Sequence, residues 1–121
     1  MTNQLLEQLL NTWTETLLTK STESMLSLYH NDAILLPTLS NKVCTNHTEI
    51  ADYFDHFLSK GPRCELLDNY ARDYDSIGTN SGTYRFTTAS GDSLSARYTF
   101  VYSLSPESNM IIEHHSSLLP I

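Results

Sequence analysis

Apolar residues in the first half of the chain recur at the spacing of one helix face. Over residues 3–19 they form a stripe, while polar residues such as Glu7, Asn11 and Glu15 fall elsewhere, so the pattern predicts a long amphipathic helix. The stripe consists of Leu5, Leu6, Leu9, Leu10, Trp13, Leu17 and Leu18. A helix of this kind buries its apolar face against another element and leaves the polar face in water.

A second, shorter helix and a brief strand are predicted next. Ser21 or Thr22 would cap the helix, because a side-chain oxygen there accepts from the free first-turn amides. The Asn31–Asp32 pair would end it, since both side chains compete for backbone hydrogen bonds and favour a turn. Residues 33–36, closed by Pro37, then predict a short strand. The residues expected to face inward from this helix are Met25, Leu26 and Tyr29.

The third helix has the clearest boundaries in the sequence. Asn46 can accept from the first-turn amides, while Glu49, three residues later, can reach back in a capping-box arrangement. The dipeptide Gly61–Pro62 would end the helix. Its apolar face comprises Ile50, Tyr53, Phe54, Phe57 and Leu58.

After Pro62 the hydrophobic pattern changes to strict alternation, which predicts β-strands. The turn-forming residues at 89–92 and 105–109 separate them. The predicted strands cover residues 63–77, 80–88, 94–102 and 110–118. The third of these alternates most cleanly. One of its faces carries Leu94, Ala96, Tyr98, Phe100 and Tyr102, and the other carries Ser95, Arg97, Thr99, Val101 and Ser103.

Helices followed by a meander of long strands predict the α+β fold class, with the helices covering one face of a curved, mainly antiparallel sheet. At 121 residues and 40% hydrophobic composition, residues 1–121 are predicted to form a single domain around one core. The other face of the sheet also carries apolar and aromatic residues, so we expect a partner subunit to cover it.

Charge and composition argue against several classes of partner. The formal charge is −7 and the seven Lys and Arg residues are scattered, whereas nucleic-acid binding needs clustered cations. The same negative charge disfavours binding to an anionic membrane surface. The first residues lack the positive segment of a signal peptide. We therefore expect a cytoplasmic protein in which Cys44 and Cys64 are free thiols.

The segment Glu113-His114-His115 is the strongest candidate for chemistry. Adjacent residues of a strand point to opposite faces, so Glu113 and His115 share one face and could form an acid–base pair. The carboxylate would raise the pKa of the imidazole. The alternative is that this face lies in a subunit interface, where both groups make structural hydrogen bonds. Adjacent strand histidines rarely bind one metal, so no metal or other cofactor is expected.

Arg97 is predicted to need a charged partner, because its neighbours along the strand are apolar and aromatic. It could bind an anionic ligand with two hydrogen bonds at the mouth of a pocket, or it could pair with Glu113 on the neighbouring strand. Tyr29, Tyr98 and other tyrosines could line a pocket, since each joins an apolar ring to a polar tip. They could equally fill the core.

Three stretches of the chain resemble the bacterial relatives of the association (hub) domain of calcium/calmodulin-dependent protein kinase II. They are residues 29–37 (YHNDAILLP), 96–102 (ARYTFVY) and 111–117 (IIEHHSS), with Pro120 after the last. This group belongs to the nuclear transport factor two-like superfamily, which also holds ketosteroid isomerase, scytalone dehydratase and polyketide cyclases. The resemblance implies a cone, in which a bent sheet wraps around the helices and leaves a pocket at its open end. It also implies a homo-oligomer, in most relatives a dimer formed through the sheet.

In such a cone we expect a pocket for a small apolar or weakly acidic ligand. Ser116 stands where the kinase domain has an arginine, which argues against the same acidic ligands. The ligand-binding candidates are Arg97, Tyr98, His114, Ser116 and Tyr29.

Three functions are compatible with these features. The favoured one is a small-molecule-binding or self-assembling module with no chemistry of its own. The second is an isomerase, cyclase or dehydratase that transfers protons inside the cone, with Glu113 or His115 as the base. The third is a structural oligomer that acts as a scaffold. A cone filled by side chains would remove the ligand site, and an outward-facing Glu113 and His115 would remove the base.

Overall fold

A computed structural model describes residues 2–120 as three helices and one five-stranded sheet. The elements in chain order are α1 (Thr2–Leu17), α2 (Thr22–Leu26), β1 (Tyr29–Leu36), α3 (His47–Ser59), β2 (Arg63–Asp73), β3 (Ile77–Thr87), β4 (Ser93–Leu104) and β5 (Asn109–Leu118). The predicted α+β class is confirmed. No helix in the described part of the chain is long and apolar enough to cross a membrane.

The strands are ordered β1-β5-β4-β3-β2 across the sheet. The pairings from β2 to β5 are antiparallel, as a meander requires, whereas β1 pairs with β5 in parallel. The curved sheet holds α1 and α3 against its inner face, where aromatic rings from both helices meet rings from β3. This is the cone-shaped roll that the family resemblance implies.

Helix α1 packs on the sheet through a stripe of fully buried residues. The stripe comprises Leu6, Leu10, Trp13 and Leu17. The helix ends at Leu17, two residues before the predicted end, and Leu18 is 57% exposed. The chain reverses there because Lys20 adopts a left-handed φ of 57° and its amide donates to the carbonyl of Leu17.

A buried amide fastens α1 to the sheet. Asn80 on β3 is fully buried, and its Nδ2 donates to the backbone carbonyl of Leu6 at 2.8 Å. Its Oδ1 accepts from Asn69 of β2 at 3.0 Å. A buried amide left without partners would be costly, so this pair of bonds fixes the position of α1 along the strand.

The prediction for residues 29–32 is wrong, because β1 already begins at Tyr29 and α2 ends at Leu26. Tyr29 pairs with Ile111 of β5, and the pairing then shifts before Ile34. Asn31 and Asp32 lie in this irregular stretch and are exposed. A bulge on an edge strand satisfies the preference of these polar residues for irregular backbone without ending the strand.

The capping prediction for α3 is confirmed. The Asn46 side chain accepts from the Glu49 amide at 2.9 Å, and the Glu49 carboxylate reaches back to the amide of Thr45 at 2.8 Å. The predicted alternation of β4 is also confirmed, since its buried residues are Ala96, Tyr98, Phe100 and Tyr102.

The first long strand is shorter than predicted, because a turn separates β2 from β3. The Asp73 carboxylate accepts from the amide of Asp75 at 2.7 Å, and Asp75 adopts a left-handed φ of 79°. The β3 strand then begins at Ile77, where the sequence pattern predicted that the preceding strand would end.

The outer face of the sheet is more polar than predicted. Its large exposed apolar residues are confined to β2, with Leu67 at 42% and Tyr70 at 64% exposure. Small hydroxyl side chains dominate the centre, namely Thr79, Ser81, Thr83, Ser95, Thr99, Ser103 and Ser117. Apolar area alone therefore gives no reason for a partner at the centre of this face.

A bulge in β2 bends the sheet. The pairing of β2 with β3 shifts between Leu66 and Asp68, which leaves Leu67 as the extra residue. Gly82 of β3 lies so close to the bulge that a Cβ atom there would be 2.0 Å from the carbonyl oxygen of Asp68. The Tyr98 hydroxyl donates to the same carbonyl at 2.8 Å. Only glycine permits this approach of two backbones.

We expect Gly82→Ala to destabilise the protein by about 1–3 kcal/mol, because the added methyl group meets backbone that cannot move aside. Urea unfolding followed by circular dichroism measures the change. Ser81→Ala, one residue away on the outer face, is the control and should leave the midpoint nearly unchanged. Equal midpoints for Gly82→Ala and Ser81→Ala would contradict this account of the bulge.

Candidate functional site

The imidazole of His114 lies at the centre of the interior. It is on the inner face of β5 with 3% of its surface exposed. The ring stacks on Phe100 of β4, with centroids 3.8 Å apart and planes 16° from parallel. The indole of Trp13 meets it edge-on at 5.4 Å. A polar ring surrounded by aromatic ones needs hydrogen bonds at both nitrogens.

Both nitrogens of His114 have tyrosine partners. Nδ1 lies 2.9 Å from the Tyr29 hydroxyl, and Nε2 lies 3.2 Å from the Tyr84 hydroxyl. The Tyr29 oxygen also accepts from the indole Nε1 of Trp13 at 3.0 Å. Tyr84 donates to the Ser116 hydroxyl at 2.7 Å, and that hydroxyl bonds Thr38 in turn. One continuous chain of hydrogen bonds therefore runs from α1 through β1, β5 and β3 to the loop after β1.

The partners determine the direction of the bonds between Trp13 and Ser116. An indole can only donate, so Tyr29 accepts from Trp13. Tyr29 gives its own proton to Nδ1 of His114 if the imidazole carries its hydrogen on Nε2. Tyr84 uses its proton on Ser116, so Nε2 of His114 must carry the hydrogen that Tyr84 accepts. His114 is thus the neutral tautomer protonated at Nε2.

Burial keeps these groups uncharged. Desolvation, with a smaller contribution from the neighbouring His115, lowers the pKa of His114 from 6.5 to about 3. Desolvation also raises the pKa of Tyr29 and of Tyr84 well above 10.0. At neutral pH these hydrogen-bonded side chains therefore keep their protons, which suits a structural role better than acid–base exchange.

The space beside this chain is almost closed. A cavity of about 10 Å³ remains between Trp13, His114, Ser116 and the aromatic residues of α3. That volume is comparable to a single water molecule. The interior of the cone therefore has no room for a substrate.

A larger cavity lies at the mouth of the cone, between α3 and the loop after β1. Its volume is about 270 Å³. The stacked rings of Tyr53 and Phe57, 5.7 Å apart, border both this mouth cavity and the small inner one. An ion pair between Lys42 and Glu49, at 3.3 Å, lies at its rim. The lining residues are Leu39, Ser40, Lys42, Cys44, Glu49, Asp52, Tyr53, His56, Phe57 and Lys60.

Of the predicted ligand-binding residues, Tyr29, His114 and Ser116 meet in the buried chain. Tyr98 also faces inward and packs on Tyr84 with centroids 4.5 Å apart, but its hydroxyl turns away toward the bulge in β2. None of these four residues lines the mouth cavity. These residues pack together in the interior instead, where His114 and Ser116 border the small inner cavity.

Arg97, Glu113 and His115 lie on the outer face of the sheet and are exposed. Of the two roles considered for Arg97, pairing with Glu113 within the chain is wrong. Arg97 lies opposite Ser117 and Glu113 lies opposite Val101, so the two residues are separated along their strands. Ion pairs within residues 2–120 are Lys42–Glu49 and Arg85–Glu65. Arg97 needs no charged partner within the chain, because its side chain lies on an exposed face of β4.

Sequence reasoning missed Thr38 and most of the mouth cavity. The cavity residues of α3 do recur on one stripe, at positions 49, 52, 53, 56, 57 and 60, but charged residues at such spacing are common on exposed helices. The two cysteines carry no disulfide. Burial raises the pKa of Cys44 and raises that of Cys64 to about 12, so both thiols are protonated at neutral pH.

The order of elements and the packing of this cone agree with a known family. The family model of the calcium/calmodulin dependent protein kinase II association domain matches residues 2–120. The chain belongs to that family. A family protein from Xanthomonas campestris has a crystal structure with 36% sequence identity and a TM-score of 0.90, and the match covers 95% of this chain and 86% of that one.

More distant structures share the fold alone. An NTF2-like protein of unknown function from Pseudomonas putida has a TM-score of 0.84 at 12% identity, covering 96% of this chain and 85% of that one. A candidate dehydratase of the NTF2-like family from Streptomyces avermitilis has a TM-score of 0.82 at 12% identity, covering 96% and 94%. No curated protein matches the sequence. The association-domain fold is therefore secure, and the superfamily scaffold by itself specifies no activity.

The buried histidine makes stability depend on pH. His114 binds a proton in the unfolded chain near pH 6.5 but in the folded chain only near pH 3. The contribution of His114 to stability is therefore complete well above pH 6.5 and is lost as the pH falls through 6.5. Between pH 6.5 and pH 5 the contribution of His114 to the free energy of unfolding should decrease by about 1.6 kcal/mol.

Urea titrations at several pH values measure this loss. His115→Gln is the matched control, since it removes the adjacent exposed imidazole and should keep most of the pH dependence. A protein whose unfolding free energy is flat between pH 6.5 and pH 5 would contradict the neutral, buried His114.

Proposed function

We propose that the chain is a self-association module whose copies meet through the outer face of β4 and β5. The observation that carries the proposal is that Arg97, Glu113 and His115 all lie on this face, while the interior is closed. Membership of an association-domain family supports it. The expected assembly is a homodimer or a larger symmetric oligomer built from it.

The outer face of β4 and β5 suits contact between two sheets. Arg97 and Glu113 are the only Lys, Arg, Asp or Glu residues in the two strands, and most other outward residues are small. Small side chains let two sheets approach to the usual separation of about 10 Å. The centres of protein interfaces are likewise poor in charge.

Proton-transfer chemistry inside the cone has weaker support. Glu113 and His115, the predicted bases, point away from the interior. His114 does face inward, but both of its nitrogens are occupied and its pKa is lowered to about 3. An acid–base catalyst needs a group that titrates near the working pH beside a bound substrate.

We expect Thr99→Arg to convert the oligomer to monomers, because two new charges would be buried at the centre of the interface. Thr99 is exposed and lies beside His115 in the sheet. Size-exclusion chromatography with light scattering measures the mass. Thr12→Arg, the same change at an exposed position of α1, should leave the mass unchanged. A wild-type protein that is monomeric at all concentrations would refute the proposal.

Small-molecule binding at the mouth of the cone is a second candidate function. The mouth cavity of about 270 Å³ favours it, since its lining combines apolar and aromatic side chains with basic ones, Lys60 and His56, and with the carboxylates of Glu49 and Asp52. A ligand with an apolar body and a weakly acidic group would match both parts.

Native mass spectrometry of gently purified protein tests this second function. A bound molecule should be retained by the wild type and lost in Leu39→Asp, because a carboxylate on the apolar wall excludes an apolar ligand. Leu119→Asp is the control, since Leu119 and Leu39 have similar exposures of 39% and 43%. Retention by both variants would place the ligand elsewhere, and an empty wild type would argue against a tightly held one.

A further inference from the structure

Arg97 and Glu113 are two opposite charges without partners on one surface. Both are exposed, and neither side chain makes a hydrogen bond or ion pair to any residue between 2 and 120. By contrast, Arg85 on the same face pairs with Glu65 of the neighbouring strand at 2.7 Å. The sheet can thus satisfy an outward arginine within the chain, and it does not do so for Arg97.

The positions of the two charges are symmetric about one point. Thr99 of β4 lies directly opposite His115 of β5. Arg97 precedes Thr99 by two residues and Glu113 precedes His115 by two residues. Because the strands are antiparallel, the two charges lie on opposite sides of the Thr99–His115 pair, each about 7 Å from it along the strand.

This arrangement is self-complementary. Two facing copies can be related by a two-fold axis that lies between their sheets, parallel to both, and passes over the Thr99–His115 pair. When this axis is perpendicular to the line that joins the two charges, the rotation places each charge of one copy over the opposite charge of the other. Each Arg97 then meets a Glu113, and each Glu113 meets an Arg97. A two-fold interface produces both contacts at once. If residue i of the first copy contacts residue j of the second, then residue j of the first copy contacts residue i of the second.

We propose that Arg97 of one protomer pairs with Glu113 of a second copy, twice in each dimer, around an axis at the Thr99–His115 pair. This inference rests on the proposed self-association and specifies its geometry. The paired charges select the axis and register of the dimer, because any other register brings two arginines or two glutamates together or leaves them unpaired.

Charge exchange tests the pairing. Arg97→Glu places two pairs of glutamates across the interface, and Glu113→Arg places two pairs of arginines there. Each single variant should dimerise at least about 100-fold more weakly than the wild type. The double variant Arg97→Glu/Glu113→Arg restores opposite charges and should recover the dimer. Analytical ultracentrifugation measures all three constants.

Mixing the two single variants tests the pairing by the formation of a new species, a heterodimer, which misfolded variants would not form. A chain with Glu at 97 and 113 complements one with Arg at 97 and 113 at both contacts, so the mixture should form a heterodimer. Native mass spectrometry separates it from the homodimers by mass. Attraction between proteins of opposite net charge does not explain such a heterodimer. The wild-type charge is −7, and both variants remain net negative.

Arg72→Glu and Glu107→Arg are the matched controls, since both residues are exposed and lie outside β4 and β5. These variants should assemble like the wild type, and their mixture should form no preferred heterodimer. Single exchanges at 97 and 113 that leave the assembly intact, or a mixture without heterodimer, would overturn the pairing while leaving self-association in place. A monomeric wild type would instead overturn the proposed function from which the pairing follows.

Discussion

The neutral imidazole of His114 is the interaction on which the interior depends. Each of its nitrogens bonds a tyrosine, and the tyrosines bond Trp13 on one side and Ser116 on the other. Loss of any member would leave a buried polar atom unpaired, at a cost of about 1–3 kcal/mol. The chain of hydrogen bonds therefore requires α1, β1, β3 and β5 to be in register together, which packing of apolar rings alone would not demand.

The two faces of β5 carry polar residues in opposite environments. Alternation along the strand places His114 and Ser116 in the interior and places Glu113 and His115 outside. Inside, polar groups are buried, satisfied and unavailable for chemistry. Outside, charged groups are exposed and available to another molecule. The function proposed from this division is association through the sheet, with the mouth cavity as a separate place for a ligand.

Much of the fold could be predicted from local patterns. The apolar stripe of α1, the Asn46 cap of α3 and the alternation of β4 depend on residues close in sequence, and the structure confirms them. The candidate site was predicted less well. His114 and Ser116 do lie inside, but the pairing with Glu113, one of two roles left open for Arg97, is absent within the chain, because strand neighbours are determined by register and not by sequence distance.

The sequence by itself determined most of the helices and strands and which residues of a strand share a face, because hydrophobic periodicity is a local property. Only the tertiary structure decided that β1 pairs in parallel with β5, which places Tyr29 beside His114 across 85 residues. It also decided the bulge beside Gly82 and the exposure of Arg97. These features arise from contacts between distant segments, and no local pattern records which strand lies next to which.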